Sequence, residues 1–236
     1  MRRTAKFRAE LPRRPVKAAI ANVAVFPRFS ILLTGRGGAN RRFEYHCEQI
    51  LPDFPAHQMN FCPHCGGKLA TRVPPGDTLP RYVCDACGAI HYKNPLMVIG
   101  AIPEWEDRIL LCKRAIEPRL GKWTLPAGFM ELGETTAQAA IRETLEEATA
   151  RIELSDAFTM LSVPHVNQVH IFYRARLLDL EFAPGEESLE VALFRENEIP
   201  WQEIAFRTIA ATLKHYYSDR SEGAYRFHAG EVLPPK

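Results

Sequence analysis

No apolar run in this 236-residue chain approaches the roughly 20 residues needed to cross a bilayer as a helix, so a membrane partner is not expected. Charge of one sign is also scarce. The net charge is only +2, which supplies no overall field for nucleic acid or an acidic surface. Cysteine is limited to six residues, four of them in two C-x2-C pairs, while Cys47 and Cys112 match no paired spacing. That usage excludes a disulfide framework and implies a reducing, cytoplasmic setting, with Cys112 expected as a small buried hydrophobe inside a strand. At 46% apolar and 25% charged residues, the composition is that of a soluble globular protein with one full domain and something smaller.

The near-neutral total conceals an asymmetry. Residues 1–58 hold eleven Lys and Arg against four Asp and Glu, and the remainder holds nineteen against twenty-four. A nucleic-acid arm, an Arg-rich presequence and a weak signal peptide all fit such a stretch. The reading preferred here is plainer: residues 1–58 form a basic extension contributing little ordered structure, because Met59-Asn60-Phe61-Cys62 reads as the start of the next module.

That module spans 59–92. Cys62-Pro63-His64-Cys65-Gly66 and Cys84-Asp85-Ala86-Cys87-Gly88 are two C-x2-C-G knuckles with eighteen residues between Cys65 and Cys84. Each pair presents two thiolates to one ion, and Cys62, Cys65, Cys84 and Cys87 together complete a closed tetrahedral Zn²⁺ shell, which is a structural rather than a catalytic arrangement. A redox role needs a single pair beside a βαβ pattern and is disfavoured. The Pro/Gly-rich segment between the knuckles is too short for a core of its own, so zinc substitutes for one. Its few basic residues (Lys68, Arg72, Arg81) make nucleic acid an unexpected partner. His64 and His91 are expected to stay outside the zinc shell.

The chemistry lies further on. Gly128 to Ala150 reads GFMELGETTAQAAIRETLEEATA. Thr135 and Gln138 fit a capping box that starts a helix just after Glu134. At about 100° per residue Glu143, Glu146 and Glu147 share one face, and Ala137, Ile141, Leu145 and Ala148 are expected to form an opposite, packed stripe. A charge run on a helix is commonly a solvated face, yet three carboxylates this close repel one another, and hard oxygen donors at this density suit Mg²⁺ or Mn²⁺. The substrate of such a site would carry phosphate.

Counted from Gly128, the residues Glu134, Arg142-Glu143 and Glu146-Glu147 fall at the separations of G-x5-E-x7-R-E-U-x-E-E-x-G-U, and the segment resembles the signature of the Nudix hydrolases. Thr149 replaces the late glycine, and Thr144 and Ala150 replace bulky apolar residues, so the helix C-terminus departs from the pattern while every charged position is kept. The resemblance implies an α/β fold: a Nudix-type α/β/α sandwich with a mixed sheet, preceded by the small four-cysteine zinc ribbon. It also implies metal-dependent hydrolysis of a nucleoside diphosphate linked to another moiety X. Glu143 and Glu147 are then the primary metal ligands, Glu146 a further ligand or water-positioning group, and the Gly128 carbonyl an additional donor. Arg142 orients Glu134 or Glu143 through charge-assisted hydrogen bonds. The general base is expected from the loop holding Glu186, Glu187 and Glu190, with Glu187 preferred.

The hydrolase domain is expected over 93–217. A buried strand covers Leu96 to Ile102, a second covers Ile109 to Arg114, and others lie near Phe158–Val163, Gln168–Leu178 and Val191–Arg195. An amphipathic helix runs through Trp201, Ile204, Ala205, Ile209, Leu213 and Tyr216, and residues 218–236 are expected as a loosely held tail. The ribbon and the Tyr92-Lys93-Asn94-Pro95 joint are similar to the NADH pyrophosphatases, but their downstream S-Q-P-W-P-F-P-x-S segment is absent. Val163 to His170 looks more like ribbon-bearing relatives acting on ADP-ribose or FAD. The rival readings are an NADH pyrophosphatase or NAD-cap RNA decapping hydrolase, and a non-catalytic Nudix-like nucleotide sensor. Nudix relatives are often homodimers, which is the expected assembly.

Overall fold

The computed structural model describes residues 59–234, and the expectations for residues 1–58, Cys47 among them, fall outside that range. Three short strands, β1 (Leu69–Arg72), β2 (Arg81–Cys84) and β3 (Ile90–His91), form an antiparallel sheet in the order β1-β2-β3. The register Leu69↔Cys84 brings the start of β1 beside the second knuckle.

The larger sheet contains β4 (Leu96–Trp105), β5 (Arg108–Arg114), β8 (Ile152–Val163), β9 (Gln168–Leu177), β10 (Ser188–Phe194) and β11 (His228–Glu231), ordered β10-β5-β4-β9-β8-β11. Two short strands, β6 (Trp123–Thr124) and β7 (Ala127–Phe129), pair with β5 and β4. The β4/β9 and β8/β11 pairs are parallel, and the other strand pairs are antiparallel. The near-continuous apolar character of β4 and β5 is explained by burial on both faces. Ile99, Ala101, Leu110 and Cys112 fall in the clusters that include residues of α1 (Thr136–Ala148). Ile102, Ile109 and Leu111 pack with Ile209, Leu213 and Tyr216 of α2 (Arg207–Glu222). Alternation with a period of two therefore places the sheet between two helices, an α/β/α sandwich. Fully buried side chains such as Phe172, Leu111 and Leu213 each contribute roughly 1.5–3 kcal/mol by leaving water.

The packed face of α1 is not the expected one. Ile141 and Leu145 are 43% and 50% exposed, whereas Ala139, Ala140, Glu143, Thr144, Glu147 and Ala148 are buried. Alanine on the inner face lets the helix approach β4 closely, and the rotation that achieves this turns Glu143 and Glu147 inward with it. Thr144, at a position where the family signature has a bulky apolar residue, is satisfied in the interior by donating its hydroxyl proton to the Ala140 carbonyl at 2.8 Å.

Both ends of α1 follow local chemistry. Thr135 accepts from the Gln138 N–H at 3.2 Å while Gln138 Oε1 accepts from the Thr135 N–H at 2.8 Å, the reciprocal capping box. Thr149 takes the left-handed conformation (φ 51°) that glycine would adopt without strain, and its N–H donates to the Leu145 carbonyl.

The C-terminal region also differs from expectation. Trp201–Glu203 is a separate 3-10 turn and α2 begins only at Arg207, because the chain is extended at Phe206. The helix continues through Ser218 to Glu222, and β11 then joins the sheet beside β8 instead of forming a loose tail. Asp219 explains the anchoring. It is buried, and its Oδ2 accepts from the Arg226 N–H at 2.7 Å and pairs with His228 Nε2 at 2.8 Å, so the segment after the helix satisfies a carboxylate that burial would otherwise penalise.

Candidate active site and metal centres

In the ribbon, the Sγ atoms of Cys62, Cys65, Cys84 and Cys87 all lie within 4.8 Å of one another. The Cys62–Cys87 and Cys65–Cys84 separations are 3.8 and 3.5 Å, close to the ~3.8 Å edge of a tetrahedron with Zn–S bonds of about 2.3 Å. Gly66 and Gly88, each at positive φ, turn the chain so that their N–H groups donate to the Cys62 and Cys84 carbonyls. The Cys87 N–H bond to the Cys84 sulfur leads the interactions that lower that thiol, whereas, against the Gly67 N–H bond, hydrogen bonds with the neighbouring thiols raise Cys65, so the close-set sulfurs do not all shed their protons alike without an ion. The four-thiol donor set and its spacing fit zinc. His91 is closer than expected for a bystander: its Nε2 lies 3.3 Å from Cys62 Sγ, where a ring N–H supports a ligand from outside the shell.

The second cluster forms where α1 faces β7. Arg142 organises it. Its Nη2 and Nε donate to the two oxygens of Glu134 at 2.7 and 3.1 Å, and its Nη1 donates to Glu143 at 2.6 Å and Glu146 at 2.9 Å. A further Nη2 bond, at 3.1 Å, reaches the Phe129 carbonyl in β7, so one guanidinium ties helix, preceding loop and strand together. Arg142, first through its bonds, and the Glu131 N–H lower the Glu134 pKa.

The three helix carboxylates differ in environment. Glu146 is 58% exposed at the rim. Burial raises Glu143 despite its bond to Arg142, and burial pushes Glu147 up to about 8 against the Ala127 N–H that donates to it at 3.2 Å. Gly128 passes so close to the helix that an added Cβ would lie 2.3 Å from Glu143 Oε2. A side chain here would displace the Glu143 carboxylate, so glycine leaves that carboxylate its place beside the β7 backbone. Glu143 and Glu147 turn inward and Glu146 stands at the rim, all hard oxygen donors of the kind a divalent cation takes, while among the described residues the four ribbon cysteines are the group whose ligand atoms already converge. Glu187, in the loop before β10, is near enough for its charge to add to the raising of both Glu143 and Glu147. Glu190 instead pairs with Lys113 at 3.4 Å.

Three participants escaped sequence reading. The Ala127 N–H that bonds Glu147 has no side-chain signal. Arg114, which offsets part of the Glu147 shift by its charge, is one of many strand-end arginines until β5 is placed. Gly185, with no side chain, offered nothing beyond its place in a loop. Two clefts of about 520 and 580 Å³ elsewhere on the domain contain none of these carboxylates. Their four arginines are already engaged, Arg174 by Glu104, Arg176 by Glu153, Arg195 by Asp107 and Arg220 by the Tyr216 hydroxyl.

Comparison with known proteins finds relatives of both segments. Residues 60–93 match the family described as Nudix N-terminal, a zinc ribbon, and residues 95–216 match the NUDIX domain. Over 113 residues the chain is 31% identical to an ADP-ribose pyrophosphatase of Methanocaldococcus jannaschii, covering 46% of this chain and 67% of that protein. Over 183 residues it is 28% identical to the NAD-capped RNA hydrolase NudC of Pseudomonas aeruginosa, covering 76% of this chain but only 61% of that protein. The crystal structure of a NUDIX hydrolase from Nitrosomonas europaea superposes with a TM-score of 0.73 at 57% identity, covering 75% of this chain and all of that one. With a Nudix domain over more than half its length and a Nudix-type zinc ribbon before it, the chain belongs to the Nudix hydrolase family.

Proposed function

We propose that the protein hydrolyses the diphosphate bond of a nucleoside diphosphate linked to another moiety, ADP-ribose or FAD, to a nucleoside monophosphate and phosphorylated X. The observation that carries this reading is the inward pair Glu143 and Glu147, the first set against the Gly128 backbone, with Glu187 near enough for its charge to act on both. Glu143, Glu147, Glu146 and the Gly128 carbonyl would hold Mg²⁺ or Mn²⁺, which neutralises charge on the diphosphate and acidifies bound water. Arg142 keeps Glu134 and Glu143 in their rotamers throughout. Glu187 accepts the proton of the attacking water, while Arg114 places a positive charge near enough to Glu147 to offset part of its shift.

The ADP-ribose reading draws on the pyrophosphatase relative. The NAD-cap or NADH reading has one point in its favour: the similarity to NudC extends over 183 residues, more than the 113 matched in the ADP-ribose pyrophosphatase. A panel of ADP-ribose, FAD, NADH, NAD-capped RNA and nucleoside triphosphates, assayed with Mg²⁺ and with Mn²⁺, separates them. AMP released fastest from ADP-ribose or FAD is the expected result. Preference for NADH or capped RNA replaces the substrate reading, and no turnover on any of them refutes hydrolysis in favour of a nucleotide sensor.

A further inference from the structure

The loop that carries Glu187 is joined to the helix that carries the other carboxylates. The Ala183 N–H donates to the Ala148 carbonyl and the Gly185 N–H to the Glu147 carbonyl, both at 3.0 Å. These are carbonyls that the last turn of α1 leaves without helical partners. At Gly185 the approach is extreme. An added Cβ would fall 1.7 Å from the Glu146 carbonyl oxygen and 2.8 Å from its carbon, both rigid backbone atoms. Past this contact, the Ser188 N–H donates to the Gly185 carbonyl at 3.1 Å and the Ala115 N–H to the Glu187 carbonyl at 2.8 Å, which fixes the loop's exit onto β10 and β5. Glu187 is thus held between a contact on the Glu146–Glu147 backbone and a bond to the strand end at Ala115.

We propose that Gly185 is a positioning residue for hydrolysis: lacking a side chain, it clamps the loop onto the backbone of Glu146 and Glu147 and sets Glu187 opposite the metal-binding carboxylates before any ion or substrate arrives. The proposal rests on the reading of Glu187 as general base. A methyl group at position 185 cannot be absorbed by a rotamer change, so the loop must lift and take the Glu187 carboxylate out of reach of its water. The carboxylates of the box stay in place with Arg142, so substrate affinity is retained while proton transfer is lost.

The test compares wild-type, Gly185→Ala, Glu187→Gln and the double variant as full-length protein with Mg²⁺ and the fastest substrate of the panel. Gly185→Ala is expected to lower kcat about 100-fold, the scale of a general base, with KM changed less than about threefold. It should also lose the acid limb of the kcat–pH profile, as Glu187→Gln does, and the double variant should be no slower than Glu187→Gln alone. A Gly185→Ala enzyme within about threefold of wild-type, or one whose loss multiplies with that of Glu187→Gln, overturns the positioning role while Glu187 stands as base. A Glu187→Gln enzyme at wild-type rate removes the base and the proposal together, whatever Gly185→Ala does. Hydrogen exchange on wild-type protein before metal addition gives a readout independent of how the variants fold: the Gly185 amide should be protected, and fast exchange there overturns the clamp.

Discussion

Glu147→Gln should make the protein free of Mg²⁺ and Mn²⁺ more stable while destroying its activity. The Glu147 side chain is buried, bonded by one backbone N–H, and pushed up to about 8 chiefly by burial. Its folded pKa is therefore above the 4.5 of an unperturbed glutamic acid, and the sign follows. The folded state is favoured by this group below about pH 4.5, and that contribution is lost as pH rises through about 8. The full shift corresponds to a ceiling of about 5 kcal/mol, and water penetration and local relaxation reduce it to about 1–2 kcal/mol in practice. Glutamine keeps the acceptor for the Ala127 N–H and carries no charge. The assay is thermal unfolding of both proteins dialysed against Mg²⁺- and Mn²⁺-free buffer with zinc retained, at pH 5.5 and 8.5. At pH 8.5 the variant should melt about 2–8 °C higher, at pH 5.5 the gap should shrink, and Mg²⁺ should stabilise wild-type far more than the variant. Turnover should fall by at least about 100-fold. A variant that melts lower than wild-type at pH 8.5, or by an equal margin at both pH values, refutes the argument from a buried, charged ligand.

Two further substitutions probe the frame of the site. Arg142→Lys retains the charge but loses the fork that reaches Glu134, Glu143, Glu146 and Phe129, so kcat/KM should fall about 10–100-fold and half-saturation by Mg²⁺ should move to higher concentration; unchanged metal dependence contradicts the orienting role. Thr149→Gly relieves a left-handed residue at the helix end and should stabilise by about 0.5–1 kcal/mol, read as a melting point higher by a few degrees at constant activity. A lower melting point would mean that the threonine contributes contacts worth more than its strain.

The parts of this protein written in sequence are those whose geometry is local. Two knuckles, a capping box and carboxylates three and four residues apart on one helix depend on neighbouring backbone angles, so the ribbon cysteines and the cluster around Arg142 were legible residue by residue. The alternation in β4 and β5 was hidden by their continuous apolar character, yet their place as buried strands was not. What only the tertiary structure decided depends on rotation and approach between elements distant in the chain. Which face of α1 packs was set by how closely alanines can meet β4, and that choice, against the apparent Ile141–Leu145 stripe, buries two carboxylates instead of two aliphatic side chains. The held C-terminal segment came from a buried Asp219 finding its donors in residues beyond the helix. Gly185 reads in sequence as an ordinary turn glycine, and only the 1.7 Å that an added Cβ would leave to the Glu146 carbonyl oxygen distinguishes a residue chosen for space from one chosen for conformational freedom. Side-chain type and spacing along the chain determined which chemistry is available, and packing, which no local spacing records, determined which groups meet to perform it.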